Sequence, residues 1–115
     1  MPDPIAYKIL TADQLAALER DGRFAGAPVD LADGYIHLST ADQLAGTLDR
    51  HFVGQADLAI AAIDLDALGE AVKWEPSRGD LLFPHLYGEL TLETTLAYGP
   101  LEREEDGSVK LPVTG

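Results

Sequence analysis

The chain has no cysteine among its 115 residues. This absence excludes disulfides, thiolate catalysis and the cysteine-based zinc frameworks. No apolar run approaches the ~20 residues that a membrane-spanning helix needs. The first residues also lack the pattern of a secretory signal peptide. We therefore expect a cytoplasmic protein that makes no contact with a membrane.

Basic residues are scarce as well. Eight Lys and Arg stand against 20 Asp and Glu, which gives a formal net charge of −12. A field of that sign repels the phosphate backbone, so we expect no nucleic-acid partner. A basic pocket can still bind a small anion, because local geometry outweighs net charge at contact distance. The expected partner is an anionic small molecule, and the sequence does not decide whether there is a protein partner.

The remaining composition is that of an ordinary globular protein. Apolar residues make up 46% of the chain and charged residues 24%. A chain of this length can bury a modest core in one domain. We expect a single domain over residues 1–115, with a core at about 5–101 and an acidic turn and tail at 102–115.

One hexapeptide, Thr-Ala-Asp-Gln-Leu-Ala, begins at Thr11 and again at Thr40. Threonine at a helix N-cap with glutamine three residues later is a capping box. The first copy predicts a helix over about 12–21 that ends at Gly22. Both duplication and convergence on a good cap explain the repeat.

The second copy predicts a helix over about 41–52. Leu44, Leu48 and Phe52 recur at intervals of four residues and define its buried stripe. His51 falls inside that stripe at ~100° per residue. We expect its side chain to be at least partly buried, behind or beside a site.

Strands are predicted from apolar runs and alternation over 58–63, 72–75 and 91–98. The first of these is apolar on both faces and is expected to be central. Proline and glycine interrupt 76–88 so often that an ordered loop is expected there. The fold class is α+β, with two main helices packed on a mixed, largely antiparallel sheet.

The candidate residues for a functional site are concentrated in two segments. In the first, Tyr35–Thr40, His37 lies two residues before Ser39, and Ser39 and Thr40 lie at a helix N-terminus. Free backbone amides at such a position favour an anion. The alternative is that a hydroxyl only caps the helix and that His37 forms a hydrogen bond in the core.

The second segment, Trp74–Gly88, adds groups that suit the same ligand. Arg78 can form two parallel bonds to phosphate or carboxylate, and His85 can act as acid, base or donor. Glu75 is either a base or orienter, or only a strand-end residue. The alternative for Arg78 is an ion pair with Glu75 or Asp80.

These residues define the predicted site. The predicted catalytic residues are His37, His85 and Glu75, and the predicted ligand-binding residues are Ser39, Thr40, Arg78, Ser77, His51 and Tyr87. No metal is expected, because the three histidines have no local ligand spacing. We predict that His37, Ser39, Arg78 and His85 converge on one concave surface.

The motifs together resemble a known family. The chain contains Tyr7-Lys-Ile-Leu, Asp33-Gly-Tyr-Ile-His-Leu-Ser-Thr-Ala-Asp-Gln, Arg50-His-Phe, Trp74-Glu-Pro-Ser-Arg-Gly and Phe83-Pro-His-Leu-Tyr-Gly. In these it resembles the bacterial family called domain of unknown function 952, over nearly the whole chain up to about Leu101. The resemblance implies a small stand-alone α/β protein with no established activity.

A second resemblance, at the level of the fold, is to the ADP-ribosyltransferase superfamily and its RNA 2′-phosphotransferase branch. His37 and Ser39 match a His-Leu-Ser run that helps to hold the nicotinamide dinucleotide there. The resemblance implies an ADP-ribosyltransferase-like core, with NAD as a candidate cofactor. Tyr7 and Lys8 stand where that superfamily places a histidine or arginine. No motif assigns a catalytic glutamate, for which Glu75 and Glu93 are candidates.

The sequence therefore predicts a polar His/Ser/Arg pocket for an anionic small molecule that is nucleotide-like or phosphorylated. A divergent transferase reaction is one use of such a pocket. The alternative is a non-catalytic ligand-sensing or protein-interaction domain whose histidines have structural roles.

Overall fold

A computed structural model describes residues 4–77 and 81–112. The strands are β1 Ile5–Leu10, β2 Arg23–Phe24, β3 Ile36–His37, β4 Ala59–Asp64, β5 Val72–Pro76, β6 Leu82–Leu86, β7 Leu90–Thr91 and β8 Thr95–Pro100. The α-helices are α1 Ala12–Asp21, α2 Pro28–Asp33, α3 Leu44–His51 and α4 Leu65–Leu68, with 3-10 turns at Ala41–Gln43 and Gly69–Ala71. None of the described helices is long and apolar enough to cross a membrane.

The strands form two three-stranded sheets, β1-β4-β8 and β3-β6-β5, and a small β2-β7 pair. Every strand pairing within residues 4–77 and 81–112 is antiparallel. The α+β class is thus confirmed, but the expected mixed sheet is not found in this part of the chain. A bridge between Tyr7 and Ser39 joins the two larger sheets through backbone hydrogen bonds of 2.8 and 2.9 Å.

Two apolar clusters hold the sheets and helices together. The first takes residues from both larger sheets and contains Ala6, Leu10, Leu18, Ile36, Leu38, Ala59, Ala61, Ile63, Leu65, Leu86 and Leu90. The second lies on the other face of β1 and β4, under α3, and contains Tyr7, Ile9, Leu44, Leu48, Ile60 and Ala62. Since β4 contributes to both clusters and pairs on both edges, its prediction as a central strand is confirmed.

Helix α1 has the predicted bounds and the predicted caps. The Thr11 hydroxyl accepts from the Gln14 amide at 3.2 Å, and the Gln14 side chain accepts from the Thr11 amide at 3.0 Å. Gly22 ends the helix in a left-handed conformation, with φ of 75°. Leu18 is fully buried, as its position in the helical repeat predicts.

The second predicted helix forms as a 3-10 turn followed by α3. Leu44 and Leu48 are buried as predicted, but His51 is exposed, so the expected burial of its side chain is wrong. His51 is the last residue of α3. Burial needs an opposing surface as well as the right angle around the helix axis, and angular phase alone does not predict that surface.

The expectation of a loop over 76–88 is also wrong for Pro76, which ends β5, and for residues 82–86. Leu82–Leu86 forms β6, the central strand of its sheet, with the buried Pro84 in the middle. Pro84 has no N–H, yet its carbonyl accepts from the Leu38 amide at 3.1 Å. Leu38 follows His37, the last residue of β3. The N–H that Pro84 lacks is therefore not missing from the regular hydrogen-bond ladder between β3 and β6.

Two further differences concern short elements. The strand predicted over 91–98 is divided into β7 and β8 by a turn in which the Thr91 hydroxyl accepts from the Thr94 amide. As a result Leu96 and Tyr98 are both more than two-fifths exposed. Helix α2 was not predicted at all, although it has proline at its first turn and ends at Gly34, with φ of 89°.

Candidate functional site

The two histidines of the predicted site lie directly opposite each other. His37 on β3 pairs with His85 on β6, and their ring centroids are 5.6 Å apart. Tyr35 stacks on His85 at 4.1 Å and lies 4.7 Å from His37 and 5.3 Å from Tyr87. We call Tyr35, His37, His85 and Tyr87 the aromatic cluster. The two segments thus meet at their histidines, while the concave surface expected to hold Ser39 and Arg78 as well stays a prediction.

His37 lies between two carboxylates that differ in burial. Its Nδ1 is 2.6 Å from Oδ1 of Asp30, and its Nε2 is 3.0 Å from Oδ2 of Asp33. The Asp30 side chain is 1% exposed and the Asp33 side chain 45%. The Nδ1 contact with Asp30 is a hydrogen bond, whereas Nε2 and Asp33 are paired by distance alone. The buried carboxylate is therefore the one that fixes the ring.

Asp30 is held by several donors besides the His37 ring. Its carboxylate accepts from the amides of Ala27 and His37 and lies 2.9 Å from Nζ of Lys8, itself almost fully buried. Burial alone would raise the pKa of Asp30, but His37, Lys8 and the Ala27 amide together lower it to about 2. Burial lowers the pKa of Lys8, and the neighbouring Asp30 opposes that shift.

Gly26 keeps the backbone close to Asp30. Its φ of +133° is one that side chains rarely allow, and a Cβ at this position would lie 2.8 Å from Cβ of Asp30. The glycine therefore permits the approach that lets the nearby Ala27 amide reach the carboxylate at 2.8 Å.

His85 has its own carboxylate. Its Nδ1 is 2.8 Å from Oε1 of Glu75, and the same oxygen accepts from the Tyr87 hydroxyl at 2.7 Å. The bond to Glu75 raises the pKa of Tyr87 to about 12, and the bonds from Tyr87 and His85 lower the pKa of Glu75. Nζ of Lys73 lies 4.9 Å from the Tyr87 ring centroid. Glu75 thus orients His85 by its Nδ1 and leaves Nε2 without a partner among the described residues.

The hydroxyl residues of the predicted site have other contacts. Ser39 is buried, and its Oγ is 3.0 Å from Oγ1 of Thr47 on α3. The Thr40 amide donates to the Gln43 side chain at the start of the 3-10 turn. Ser77 is exposed, and its amide donates to the Leu81 carbonyl. The described contact of the Ser39 hydroxyl is thus with α3.

Two other predicted ligand-binding residues remain, Arg78 and His51. Arg78 lies outside the described residues, as does Asp80, one of its predicted ion-pair partners. His51 is exposed at the end of α3, a helix that packs on the second apolar cluster. Two open cavities of about 340 and 370 Å³ also lie elsewhere, beside β8 and beyond the end of α3.

Sequence reasoning missed Lys8, Asp30 and Asp33. A signal for Lys8 was present, because a lysine between Tyr7 and Ile9 in an apolar strand needs a buried anionic partner. The partner could not be named, since Asp30 is 22 positions away on an unpredicted helix. Within the described residues no group of three His, Asp or Glu side chains is arranged to hold a metal ion.

Comparison with known proteins gives a family and a fold. The model of the family described as "Protein of unknown function (DUF952)" matches residues 9–98. The crystal structure of CC0527 from Caulobacter crescentus is 43% identical, covers 93% of this chain and 94% of its own, and has a TM-score of 0.83. Its solution NMR structure is 42% identical over 92% and 91%, with a TM-score of 0.78. No protein of curated function matches significantly. The resemblance to ADP-ribosyltransferases stays a prediction.

Proposed function

The chain belongs to the DUF952 family, whose description assigns no function, and we propose from its own side chains that the aromatic cluster binds an anionic small molecule. The ligand class is nucleotide-like or phosphorylated. His37 supplies the donor to the anionic group, and the tyrosine rings supply a face for the rest of the ligand.

One observation carries this proposal. His37 is fixed on its inner side by the buried Asp30, while its side chain remains 32% exposed. A pre-oriented donor on an accessible surface lowers the ordering cost of binding a ligand. In a protein of net charge −12 this supports selective rather than general attraction of an anion.

The tyrosines support the nucleotide-like part of the proposal. Tyr87 is 41% exposed, and Tyr35 is already stacked on His85. An exposed ring beside a donor suits a ligand with a planar group and an anionic group. Base-on-aromatic stacking contributes on the order of 1–3 kcal/mol. The neighbouring Lys73 adds a positive charge, with its Nζ 4.9 Å from the centroid of the Tyr87 ring.

A transfer reaction is the second candidate function. The His85–Glu75 pair supports it, because a carboxylate on Nδ1 orients Nε2 to accept or donate a proton. NAD is the weaker candidate ligand. Lys8 already binds Asp30 and Tyr7 is buried, so neither first-strand residue replaces the donor that the superfamily uses for NAD.

Calorimetry with inorganic phosphate, ADP-ribose and NAD tests the proposal. We expect His37→Asn to weaken binding of phosphate and ADP-ribose at least about tenfold, the size of a lost bond to a charged group. His51→Asn is the matched control, because His51 is exposed at the end of α3. This variant should leave the affinity unchanged. NAD should bind weakly, with release of nicotinamide near background.

Other results would change the conclusion. Loss of binding in both histidine variants would return His51 to the site. Saturable NAD binding with release of nicotinamide that stops in His85→Asn would favour the transferase. Binding without turnover would favour a sensor. No binding of any of the three compounds would leave the histidines a structural role.

A further inference from the structure

The carboxylate of Asp33 lies beside the outer nitrogen of the His37 ring. Asp33 Oδ2 lies 3.0 Å from Nε2, the outer nitrogen of a ring whose inner nitrogen is fixed by Asp30. We propose that Asp33 holds the place of the ligand's anionic group, and that a carboxylate or phosphate binds Nε2 after Asp33 has moved away. This inference rests on the proposed function and adds an internal competitor to the same site.

The two carboxylates on His37 have different strengths of attachment. Asp30 is almost fully buried and is held by Lys8 and two backbone amides as well as by the ring. Asp33 is 45% exposed, and its described side-chain contact is with His37 alone. An exposed ion pair contributes only ~0–1 kcal/mol, because water screens it and its ordering has an entropic cost. Asp33 is therefore the partner that a competing anion can displace.

The position of Asp33 in α2 is unfavourable for a negative charge. It is the last residue of the helix, next to the carbonyl oxygens that carry partial negative charge. An acidic side chain is stabilising at the opposite end of a helix. The nearby His37 offsets the unfavourable position of the Asp33 carboxylate. A ligand that binds His37 would release this carboxylate to solvent.

Helix α2 can allow this movement without opening the core. Asp30 is its one buried residue, and Val29 and Leu31 are 55% and 64% exposed. Gly34, with φ of +89°, follows Asp33 directly and has open space where a Cβ would be. Rotation about the side-chain bonds of the half-exposed Asp33 would therefore move its carboxylate away from Nε2 while Asp30 keeps the helix attached.

The exchange is also balanced in charge. Without a ligand, the negative charge of Asp33 faces Nε2 of His37. With a ligand, an oxyanion takes that place and Asp33 becomes hydrated. The expected ligand group is thus an oxyanion of carboxylate or phosphate type, and an uncharged ligand should not compete with Asp33.

The test is an NMR titration of the uniformly labelled protein with inorganic phosphate and, separately, with acetate. The variants are Asp33→Ala and Asp33→Asn, with Asp57→Asn as a control that removes one charge from an exposed turn. We expect both Asp33 variants to bind phosphate about fivefold more tightly, which corresponds to ~1 kcal/mol. Asp57→Asn should bind like the wild type. A gain with acetate as well would show that any oxyanion fits, and a gain with phosphate alone would restrict the ligand to phosphates.

The outcomes separate this inference from the proposed function. If phosphate binds the wild type through His37 but no more tightly after loss of Asp33, the competitor role is wrong and the site stands. If Asp57→Asn gains as much as the Asp33 variants, the effect is one of general charge and the role is equally wrong. If phosphate shifts no cluster resonance in any protein, both proposals fail. Dispersed backbone spectra of Asp33→Ala and Asp33→Asn show that each variant is folded.

Discussion

Asp30 illustrates what one buried carboxylate does for stability. It is 1% exposed and charged, and its neighbours lower its pKa to about 2 from the ordinary value of 3.8. A depressed carboxyl pKa stabilises the folded state above the unfolded pKa, and this contribution is lost as the pH falls towards 2. The size of the shift corresponds to about 2 kcal/mol.

We therefore expect Asp30→Asn to lower the free energy of unfolding by ~3 kcal/mol or more at neutral pH, because Lys8 is left buried without a charged partner. The difference from wild type should shrink between about pH 4 and pH 2, where the wild-type carboxyl is itself protonated. Urea unfolding at several pH values measures this. Asp57→Asn, in an exposed turn, should change stability by less than ~0.5 kcal/mol. A constant difference down to pH 2 would show that charge on Asp30 is not the cause.

The two copies of Thr-Ala-Asp-Gln-Leu-Ala give a prediction about helices. Thr11 makes both bonds of its capping box, whereas the Thr40 hydroxyl makes no cap bond and Gln43 reaches the Thr40 amide alone. We expect Thr11→Ala to destabilise the protein by ~1 kcal/mol and Thr40→Ala by clearly less. Thermal or denaturant unfolding of the two variants compares identical substitutions. Equal losses would mean that the cap bond at Thr11 contributes little.

Elements were predictable from the sequence where local signals and tertiary contacts agree. Helix α1 has a capping box, an inward Leu18 and a terminal Gly22, and its bounds were predicted without error. In β6 the local signal opposes the fold, since Pro84 favours a loop while pairing with both neighbouring strands forms the sheet. Helix α2 is attached through Asp30 rather than an apolar stripe, so periodicity could not reveal it.

The candidate site shows the same limit. His37 and His85 could be placed together because both lie in segments rich in polar and aromatic residues. The ion pair between Lys8 and Asp30 depends on a contact between distant parts of the chain, which no spacing rule reports. Ser39 is two residues from His37, and its hydroxyl contacts Thr47 on α3, a tertiary contact that the spacing could not indicate.

For the whole molecule, the shared first apolar cluster predicts cooperative unfolding. That cluster joins β1 and β4 of one sheet to β3 and β6 of the other. We expect the fluorescence of Trp74, on β5, and the far-UV circular dichroism to change at the same urea concentration. Variant Trp74→Phe is the control for the assignment of the fluorescence. An earlier change in fluorescence would show that the β3-β6-β5 sheet unfolds on its own and that the chain is not one cooperative domain.

The Tyr7–Ser39 bridge has a consequence for aggregation. It connects the β1 side of one sheet to the β3 side of the other, so six of the described strands form a ribbon in the order β8-β4-β1-β3-β6-β5, and β2 and β7 lie outside it. Two separate sheets would expose four edges to strand addition by other chains, and the ribbon has two. Both of its end strands, β5 and β8, finish in a proline, Pro76 and Pro100, which cannot donate to an added strand. Each end strand of this ribbon thus finishes in a residue that cannot extend a ladder of backbone hydrogen bonds.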